Sequence, residues 1–326
     1  MEHNPAILLN ASNILKPTVD LRKIGELNEY ICSVIGICLN LLLCYLILCK
    51  TTSRLRVYKR VLLQNCLLDI FYNIVNGLTH CQGEFKAGNF FVLLNGPFQD
   101  LPIPWGAYCI GLWVFALFLC VTGVPIQFVF RYFLLVKKRL LTKLEYFSLL
   151  GISCFLALVY AIAWTYVCWL TPEEIHQKSV LLAKDPYYYS GIPTFLSSEI
   201  WNINMQFVFF YCYSLVAGSY MIIIFTSIRV YQHLSRSVYI SPEILDIHKQ
   251  ITTTLMVQAV APVVVCLLPI VLLVSGCFLY LDIPGAGLII NFLFGWIPLA
   301  NSTITIVAIK TYRQFCFGWI KTIKFL

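Results

Sequence analysis

Long apolar stretches without a charged residue dominate the hydrophobic pattern of this chain. Six such stretches, each bounded by charged residues, run for 20 to 32 residues. A helix rises about 1.5 Å per residue and a bilayer core is about 30 Å thick, so roughly 20 apolar residues span it. The pattern therefore predicts six membrane-spanning helices, at residues 30–49, 103–130, 146–170, 200–228, 251–279 and 286–309.

A seventh helix is predicted at residues 61–82, where one acid, Asp69, interrupts an otherwise apolar pattern. If this segment were a connector, strongly apolar irregular backbone would lie against lipid with its polar groups unsatisfied. The predicted fold class is therefore an all-α membrane protein, a seven-transmembrane helix bundle spanning residues 30–309.

The composition agrees with lipid as the main solvent. Of 326 residues, 60% are hydrophobic and 12% are charged, whereas a soluble domain has roughly 45–50% and about 25%. These values exclude a soluble enzyme, a disordered chain and a secreted domain held by disulfides. The sequence also lacks HExxH, GxSxG, a glycine-rich phosphate loop and any Cys/His cluster at metal spacing. We therefore predict no enzyme, no cofactor and no metal site.

The charges are distributed unevenly between the two ends of the predicted helices. Of the 23 Lys and Arg residues, 17 fall on the side that carries residues 50–60 and six on the other. Because Lys and Arg mark cytoplasmic loops, this predicts an extracellular tail at 1–29, an inner basic tail at 310–326 and a multi-pass protein of the plasma membrane. The net charge of +8 lies beside membrane helices, so its expected partner is the lipid bilayer and not nucleic acid.

Two features of the predicted outer side concern covalent modification. Asn10-Ala11-Ser12 is an N-glycosylation acceptor. Of the fourteen cysteines, only Cys81, Cys109 and Cys168 lie near the outer helix ends, where oxidation is permitted. A Cys81–Cys109 disulfide would tie the second helix to the third, and three free thiols fit the sequence equally well.

Polar residues at membrane depth indicate a conformational switch. Asn40, Asp69 and Asn301 lie within the first, second and seventh predicted helices, and such groups need partners inside a bundle. Pro262 and Pro269 lie about two turns apart in the sixth helix and each removes a backbone hydrogen bond. The alternatives are a static interhelical contact and ordinary membrane prolines.

Side chains in the outer halves of the third, fifth and seventh helices are candidates for a ligand pocket. They are Tyr108, Leu112, Trp113, Trp201, Asn204, Met205 and Phe292. The alternative for each is a contact with lipid or with the core. Few charges lie in this part of the predicted bundle, so we expect a neutral ligand.

Three of the predicted helices also carry short motifs. The sixth has a string of polar residues and prolines, His248, Gln250, Leu255, Gln258, Pro262 and Pro269. The third ends in Phe130-Arg131-Tyr132, and Tyr312-Arg313 follows the seventh. Together these motifs resemble those of the nematode serpentine chemoreceptors of the Str superfamily, which are G-protein-coupled receptors. Thr79-His80-Cys81 and Gly96-Pro97 are most similar to the Srd branch, and the resemblance covers about residues 28–315.

The resemblance implies a chemosensory receptor that binds a small odorant-like molecule, activates a heterotrimeric G protein and is located in sensory cilia. It assigns G-protein coupling to Arg131 and Tyr132, or a lock on the closed inner face to Arg131. It also implies that Pro262 and Pro269 act as a hinge. Phe130 stands where most G-protein-coupled receptors have an acid, so Arg131 must be held in another way.

Two other functions remain compatible with seven spans. One is a transporter or ligand-gated channel, for which a single intramembrane acid is a poor fit. Some seven-helix chemoreceptors of this kind place the amino terminus inside, opposite to the Lys and Arg distribution. The other is a receptor-like protein that has lost signalling, which the missing acid before Arg131 keeps open.

Overall fold

In the computed structural model, the described residues are 21–53, 55–188, 191–236, 251–252, 256–257, 259–260, 271, 275, 278–279 and 285–323. The helices are α1 Leu21–Cys49, α2 Lys59–Thr79, α3 Ile103–Leu135, α4 Lys143–Val167, α5 Pro172–Ala183, α6 Ile203–Arg236, α7 Ala286–Phe294, α8 Trp296–Ala308 and α9 Lys310–Ile323. Short 3₁₀ turns lie at Arg56–Tyr58, Gly96–Phe98 and Pro186–Tyr188.

Six helical segments of the described chain are long and apolar enough to cross a membrane. They are formed by α1, by α2 with its preceding turn, by α3, α4 and α6, and by α7 with α8. They correspond to six of the seven predicted spans. The remaining span, 251–279, is described only in part, and its described residues from Ile251 to Phe278 are helical. The architecture is a seven-helix membrane bundle, as predicted.

The helices present large apolar side chains outward, as lipid requires. Leu144 is 79% exposed, Tyr166 is 81% exposed and Phe210 is 71% exposed. In water, exposed apolar patches of this extent are rare on a monomer. The hydrocarbon of a bilayer solvates these side chains instead.

A three-stranded antiparallel sheet lies at one end of the bundle, and the sequence analysis missed it. Its strands are β1 Cys81–Lys86, β2 Asn89–Leu94 and β3 Phe195–Glu199, in the order β1-β2-β3. The β1–β2 hairpin turns through Ala87 and Gly88, which both have positive φ (47° and 71°), as a two-residue type I′ turn requires. The predicted helical bundle therefore carries a small sheet at one end, and α2 ends at Thr79, whereas the predicted helix extended to residue 82.

The two ends of the bundle have different apolar cores. Near the sheet, Tyr72, Trp113 and Trp164 belong to one buried cluster, which we call the sheet half. At the opposite end, Leu46, Tyr58 and Phe130 belong to another, which we call the basic half because the Lys- and Arg-rich connections lie there. Each half of the bundle thus has its own buried cluster, in which aromatic and aliphatic side chains are mixed.

The chain after the last span, which the sequence predicts as a basic tail at 310–326, begins with a helix. Its first fourteen residues form α9, which begins at Lys310. The Tyr312 hydroxyl lies 2.8 Å from the Thr51 hydroxyl, and Lys50 lies over the Phe315 ring. These contacts hold α9 against the end of α1, in the basic half.

Candidate functional site

A hydrogen-bonded polar pair joins α2 to α8 in the middle of the bundle. Asn301 donates its side-chain amide to the Asp69 carboxylate at 3.2 Å. Asn40 of α1 donates to the Gly36 carbonyl at 2.9 Å and to the Pro298 carbonyl at 3.4 Å. The predicted trio is therefore gathered at α8, with Asn40 reaching the backbone one turn before Asn301.

A second buried polar cluster lies closer to the sheet and is centred on Glu29. The carboxylate, 2% exposed, accepts a short hydrogen bond from Asn76 of α2 and a longer one, 3.4 Å, from Asn291 of α7. The indole N–H of Trp113 donates to the side-chain carbonyl oxygen of Asn76 at 2.8 Å. One acid thus connects α1, α2 and α7 directly, and connects α3 through Asn76.

Asn28, the neighbour of Glu29, extends the same cluster along α7 and α8. Its amide donates to the backbone carbonyl of Phe292 at 3.0 Å, and its own carbonyl accepts from the Trp296 indole at 3.1 Å. The sequence analysis assigned both Asn28 and Glu29 to an extracellular tail. They were missed because Glu29, as a charged residue, was used to mark the limit of the first span.

The sheet half contains a cavity of about 130 Å³ directly beneath the strands. Phe85 and Phe90 of the hairpin cover it, and Phe209 packs against Phe90 with ring centroids 6.2 Å apart. Trp113 and Asn291 lie in its wall. The Asn291 amide group donates to Glu29, while its carbonyl oxygen makes no hydrogen bond to the described residues.

A second cavity, of about 170 Å³, lies deeper in the bundle and reaches Asp69 and Asn301. Its wall is overwhelmingly apolar, with Tyr72, Tyr213 and Tyr220 among the few hydroxyl-bearing side chains. The two cavities share five wall residues, Leu117, Phe118, Cys212, Tyr213 and Phe294. A small movement of these side chains would join the cavities into one channel from the sheet to the Asp69 pair.

Of the seven predicted ligand residues, only Trp113 belongs to either cavity wall. Met205 is buried in the neighbouring apolar cluster and Phe292 is half-buried. The other four are exposed: Tyr108 at 60%, Leu112 at 46%, Trp201 at 61%, and Asn204 in the first turn of α6. These four therefore lie where lipid or solvent contacts them, which is the alternative weighed for each.

Helical phase explains this placement. At about 100° per residue, Tyr108 and Leu112 share one face of α3, and Trp113 lies about 140° from Tyr108. Of these two faces of α3, only the one that carries Trp113 is directed into the bundle. Six aromatic side chains of the sheet-half wall were not among the residues predicted from the sequence: Phe85, Phe90, Tyr160, Trp164, Phe209 and Tyr213.

Arg131 is buried at the basic end of α3. It is 3% exposed and donates a short hydrogen bond to the Thr252 hydroxyl. It also donates to the Tyr58 hydroxyl. The guanidinium therefore bridges the turn before α2 to the partly described sixth span, and neutral hydroxyls take the place of the usual neighbouring acid.

Phe130 occupies the position of that acid and serves a packing role. Its ring lies edge-on to Tyr58 and Tyr146, with centroids 6.3 Å and 6.2 Å away. The Tyr146 hydroxyl donates to the Gln64 carbonyl oxygen. Tyr132 follows on the other side of the helix and contacts the Phe225 ring of α6 at 6.2 Å.

A third polar group lies outside the membrane spans, between the sheet and α7. Burial and the neighbouring Asp185 carboxylate raise the pKa of Glu84 to about 7. The backbone N–H of Gly287, in the first turn of α7, donates to Glu84. A Cβ on Gly287 would lie 2.0 Å from the Gly83 carbonyl oxygen. The sheet therefore rests on the beginning of α7 through a carboxyl group and a close backbone approach.

The remaining predicted site residues are three cysteines, one asparagine and two prolines. Cys81, Cys109 and Cys168 are free thiols. Asn10, Pro262 and Pro269 lie outside the described residues. Within the described ranges, no group of three or more His, Cys, Asp or Glu side chains has the arrangement of a metal site.

Comparisons with known proteins agree with this architecture. Residues 26–317 match the family model described as the serpentine type 7TM GPCR chemoreceptor Str. The G-protein coupled receptor str-217 of Caenorhabditis elegans is 23% identical, over 89% of this chain and 90% of that protein. The crystal structure of squid rhodopsin superimposes with a TM-score of 0.67 at 12% identity, over 94% of this chain and 88% of that one, which is a likeness of fold. The chain therefore belongs to the Str family of serpentine seven-transmembrane G-protein-coupled chemoreceptors.

Proposed function

We propose that this receptor binds a small, neutral, largely apolar ligand in the two adjacent cavities and transmits binding to a heterotrimeric G protein at the basic end. The observation that carries the proposal is the aromatic cavity of the sheet half, which continues toward the Asp69–Asn301 pair. Ligand sites in proteins are typically apolar with a few placed polar groups. This cavity has that composition.

The cavity wall limits the chemistry of the ligand. Its surface is mostly aromatic and aliphatic, and among the described residues no Asp, Glu, Lys or Arg side chain lines the sheet-half cavity. A charged ligand would lose its hydration without a counter-charge, which is costly. An odorant-like molecule with at most a hydroxyl or carbonyl group fits, since Asn291 and Tyr213 supply polar contacts.

The orientation belongs to the same proposal. The basic end carries most Lys and Arg residues, which favours a cytoplasmic location for it. The amino terminus and the sheet are then extracellular, and the receptor is placed in the plasma membrane, in sensory cilia. Assignment to the Srd branch is supported by Thr79-His80-Cys81 and Gly96-Pro97. An amino-terminal epitope tag stained on intact cells tests the orientation, because a tag that needs permeabilisation contradicts it.

Transmission is proposed to run through two hydrogen-bonded elements. Ligand binding shifts the population between bundle arrangements only if it favours one of them. Asp69, Asn301 and Asn40 join helices beside the deeper cavity, and Arg131 joins α3 to the sixth span at the basic end, where we place the G protein. Breaking the Arg131 bridge while the sixth span moves outward, with Pro262 and Pro269 as its hinge, would expose Arg131 and Tyr132 to the G protein.

Calcium imaging of cells that express the receptor, with a volatile and a water-soluble odorant panel, tests the proposal. Phe209→Ala enlarges the sheet-half cavity and is expected to shift the potency of an active compound by tenfold or more. Phe207→Ala is the matched control, because Phe207 lies two residues away on the same helix and is 67% exposed. Equal responses of both variants, or a response that persists without any G protein, would contradict the proposal.

A further inference from the structure

A third cavity lies at the basic end, and cationic side chains form part of its wall. Its volume is about 320 Å³, and Arg56, Arg60 and Lys143 form its polar walls. Arg56 and Arg60 stand one turn apart where α2 begins, and Lys143 opens α4 on the opposite side. Three positive charges therefore converge on one small volume.

The acid nearest this pocket along the chain does not neutralise it. Glu145 is held by Arg139, whose guanidinium donates at 2.9 and 3.1 Å. It also completes the helix cap of α4 with Thr142. Within the described residues, none of the three pocket cations forms an ion pair. The pocket thus has uncompensated positive charge, to which the N-terminus of α2 adds because no side chain caps it.

The position of the pocket identifies the source of the anion. Its floor is apolar, formed by the buried Phe130 and Leu141. Its rim includes Leu140, 55% exposed, and the next outward residues of α4 are Leu144 and Phe147, 79% and 63% exposed. This surface lies at the end of a membrane span, so acyl chains would cover it while a headgroup enters the pocket.

We propose that this pocket, formed by Arg56, Arg60 and Lys143, binds the headgroup of a phosphoinositide, an anionic lipid with a phosphomonoester. Basic pockets between membrane helices are suited to such headgroups. A phosphomonoester carries about −1.5 to −2 charges near neutral pH, and the lipid's phosphodiester adds one more. Together these balance three cations, whereas the single net charge of phosphatidylserine leaves most of the pocket uncompensated.

Native mass spectrometry of the purified full-length receptor in detergent tests this assignment with two lipids. Phosphatidylinositol 4-phosphate is expected to bind as one retained molecule per chain, at least tenfold more tightly than phosphatidylserine. The triple variant R56Q/R60Q/K143Q is expected to lose tenfold or more in affinity, because each surface cation contributes about fivefold. The double variant R56Q/R60Q should show an intermediate loss.

A matched control separates a site from general charge attraction. K137Q/K138Q/R229Q removes the same charge from the same end of the bundle, outside the pocket, and should change affinity less than twofold. Equal losses in the two triple variants would overturn the proposal, as would equal binding of the two lipids. Equal competition by soluble inositol 1,4-bisphosphate would overturn the assignment to a lipid. Thermal unfolding of each variant checks that these exposed substitutions leave the fold intact.

Discussion

The sheet half and the basic half of this bundle solve the problem of buried polar groups in different ways. In the sheet half, Glu29 collects amide donors from two other helices and its neighbour Asn28 reaches the α7 backbone. In the basic half, the cation Arg131 is held by two neutral hydroxyls, on Thr252 and Tyr58. The first arrangement joins several helices through one carboxylate, and the second joins α3 to its neighbours through hydroxyl groups.

The difference suits the proposed tasks of the two halves. A network of several hydrogen bonds fixes the helices around a preorganised cavity. A cation held by neutral partners is released at lower free-energy cost than one paired with a carboxylate, since charge–charge hydrogen bonds are stronger. We therefore propose that ligand recognition lies in the sheet half and the conformational change in the basic half.

The largest expected effect comes from removing the centre of the sheet-half network. Glu29→Ala leaves the amide donors of Asn76 and Asn291 without an acceptor, at a cost of about 1–3 kcal/mol for each buried donor. We expect a loss of about 4 kcal/mol in unfolding free energy and a failure to reach the cell surface. Surface expression and thermal unfolding measure this.

Glu26→Ala provides the control for that variant. Glu26 lies one turn earlier on α1, is only partly buried and is not part of the Glu29 network. Its replacement is expected to change stability by less than about 0.5 kcal/mol. If both variants were expressed equally, the network around Glu29 would not stabilise the sheet half as described.

We expect the stability of the contact between the sheet and α7 to depend on pH. The pKa of Glu84 is about 7 in the folded protein and about 4.5 when unfolded, so the folded state binds an extra proton between these values. Its contribution to stability is fully present below about pH 4.5 and is lost as the pH rises through 7. The free energy that stabilises the sheet should therefore fall by about 2–3 kcal/mol between pH 5 and pH 8.

Hydrogen exchange of β1 and β2 at the two pH values measures this loss. Glu84→Gln should abolish the pH dependence, because the amide is neutral throughout. Asp185→Asn should weaken it, since the Asp185 carboxylate contributes to the raised pKa of Glu84. Glu173→Gln, at an exposed position in the first turn of α5, should leave the pH dependence unchanged. A pH dependence that survives in Glu84→Gln would assign it to another group.

In the basic half, we expect a substitution beside Arg131 to change signalling and not folding. Thr252→Val keeps the side-chain shape but removes the hydroxyl that accepts from Arg131. A hydrogen bond to a charged group is worth about 1.5 kcal/mol or more, so ligand-free G-protein activation should rise about tenfold. Thr303→Val on the exposed face of α8 is the control, and equal basal activity in the two variants would argue against Arg131 as a latch.

The membrane spans could be predicted from the sequence because the thickness of a bilayer sets their length and its apolar core disfavours charged side chains. The meeting of Asp69 with Asn301 was predictable for the same reason, since a polar group in lipid needs a partner. The sheet was not predictable in this way. Its strands are five or six residues long, and the third lies about 100 residues after the second, so no local pattern joins them.

The candidate site was only partly predictable, and Glu29 and Tyr108 show why. Using Glu29 as the boundary of the first span placed it outside the bundle, although amide partners on other helices hold it inside. Choosing aromatic residues by type placed Tyr108 in a pocket, although helical phase turns it outward. Both errors arise because long-range contacts decide which face of a helix is buried.

The smallest expected effect tests the helical phase of α3. The same replacement of Trp by Phe is made at one inward-facing and one outward-facing position. Trp113→Phe removes the indole N–H that donates to Asn76 at 2.8 Å, which leaves a buried carbonyl without this donor and weakens the Glu29 network by about 1 kcal/mol. Trp105→Phe changes a side chain that is 64% exposed and should alter the unfolding temperature very little. Thermal unfolding of the two variants in the same detergent compares the inner and outer faces. If Trp105→Phe lowered the unfolding temperature as much as Trp113→Phe, packing at the membrane surface, and not the network within the sheet half, would determine the stability of α3.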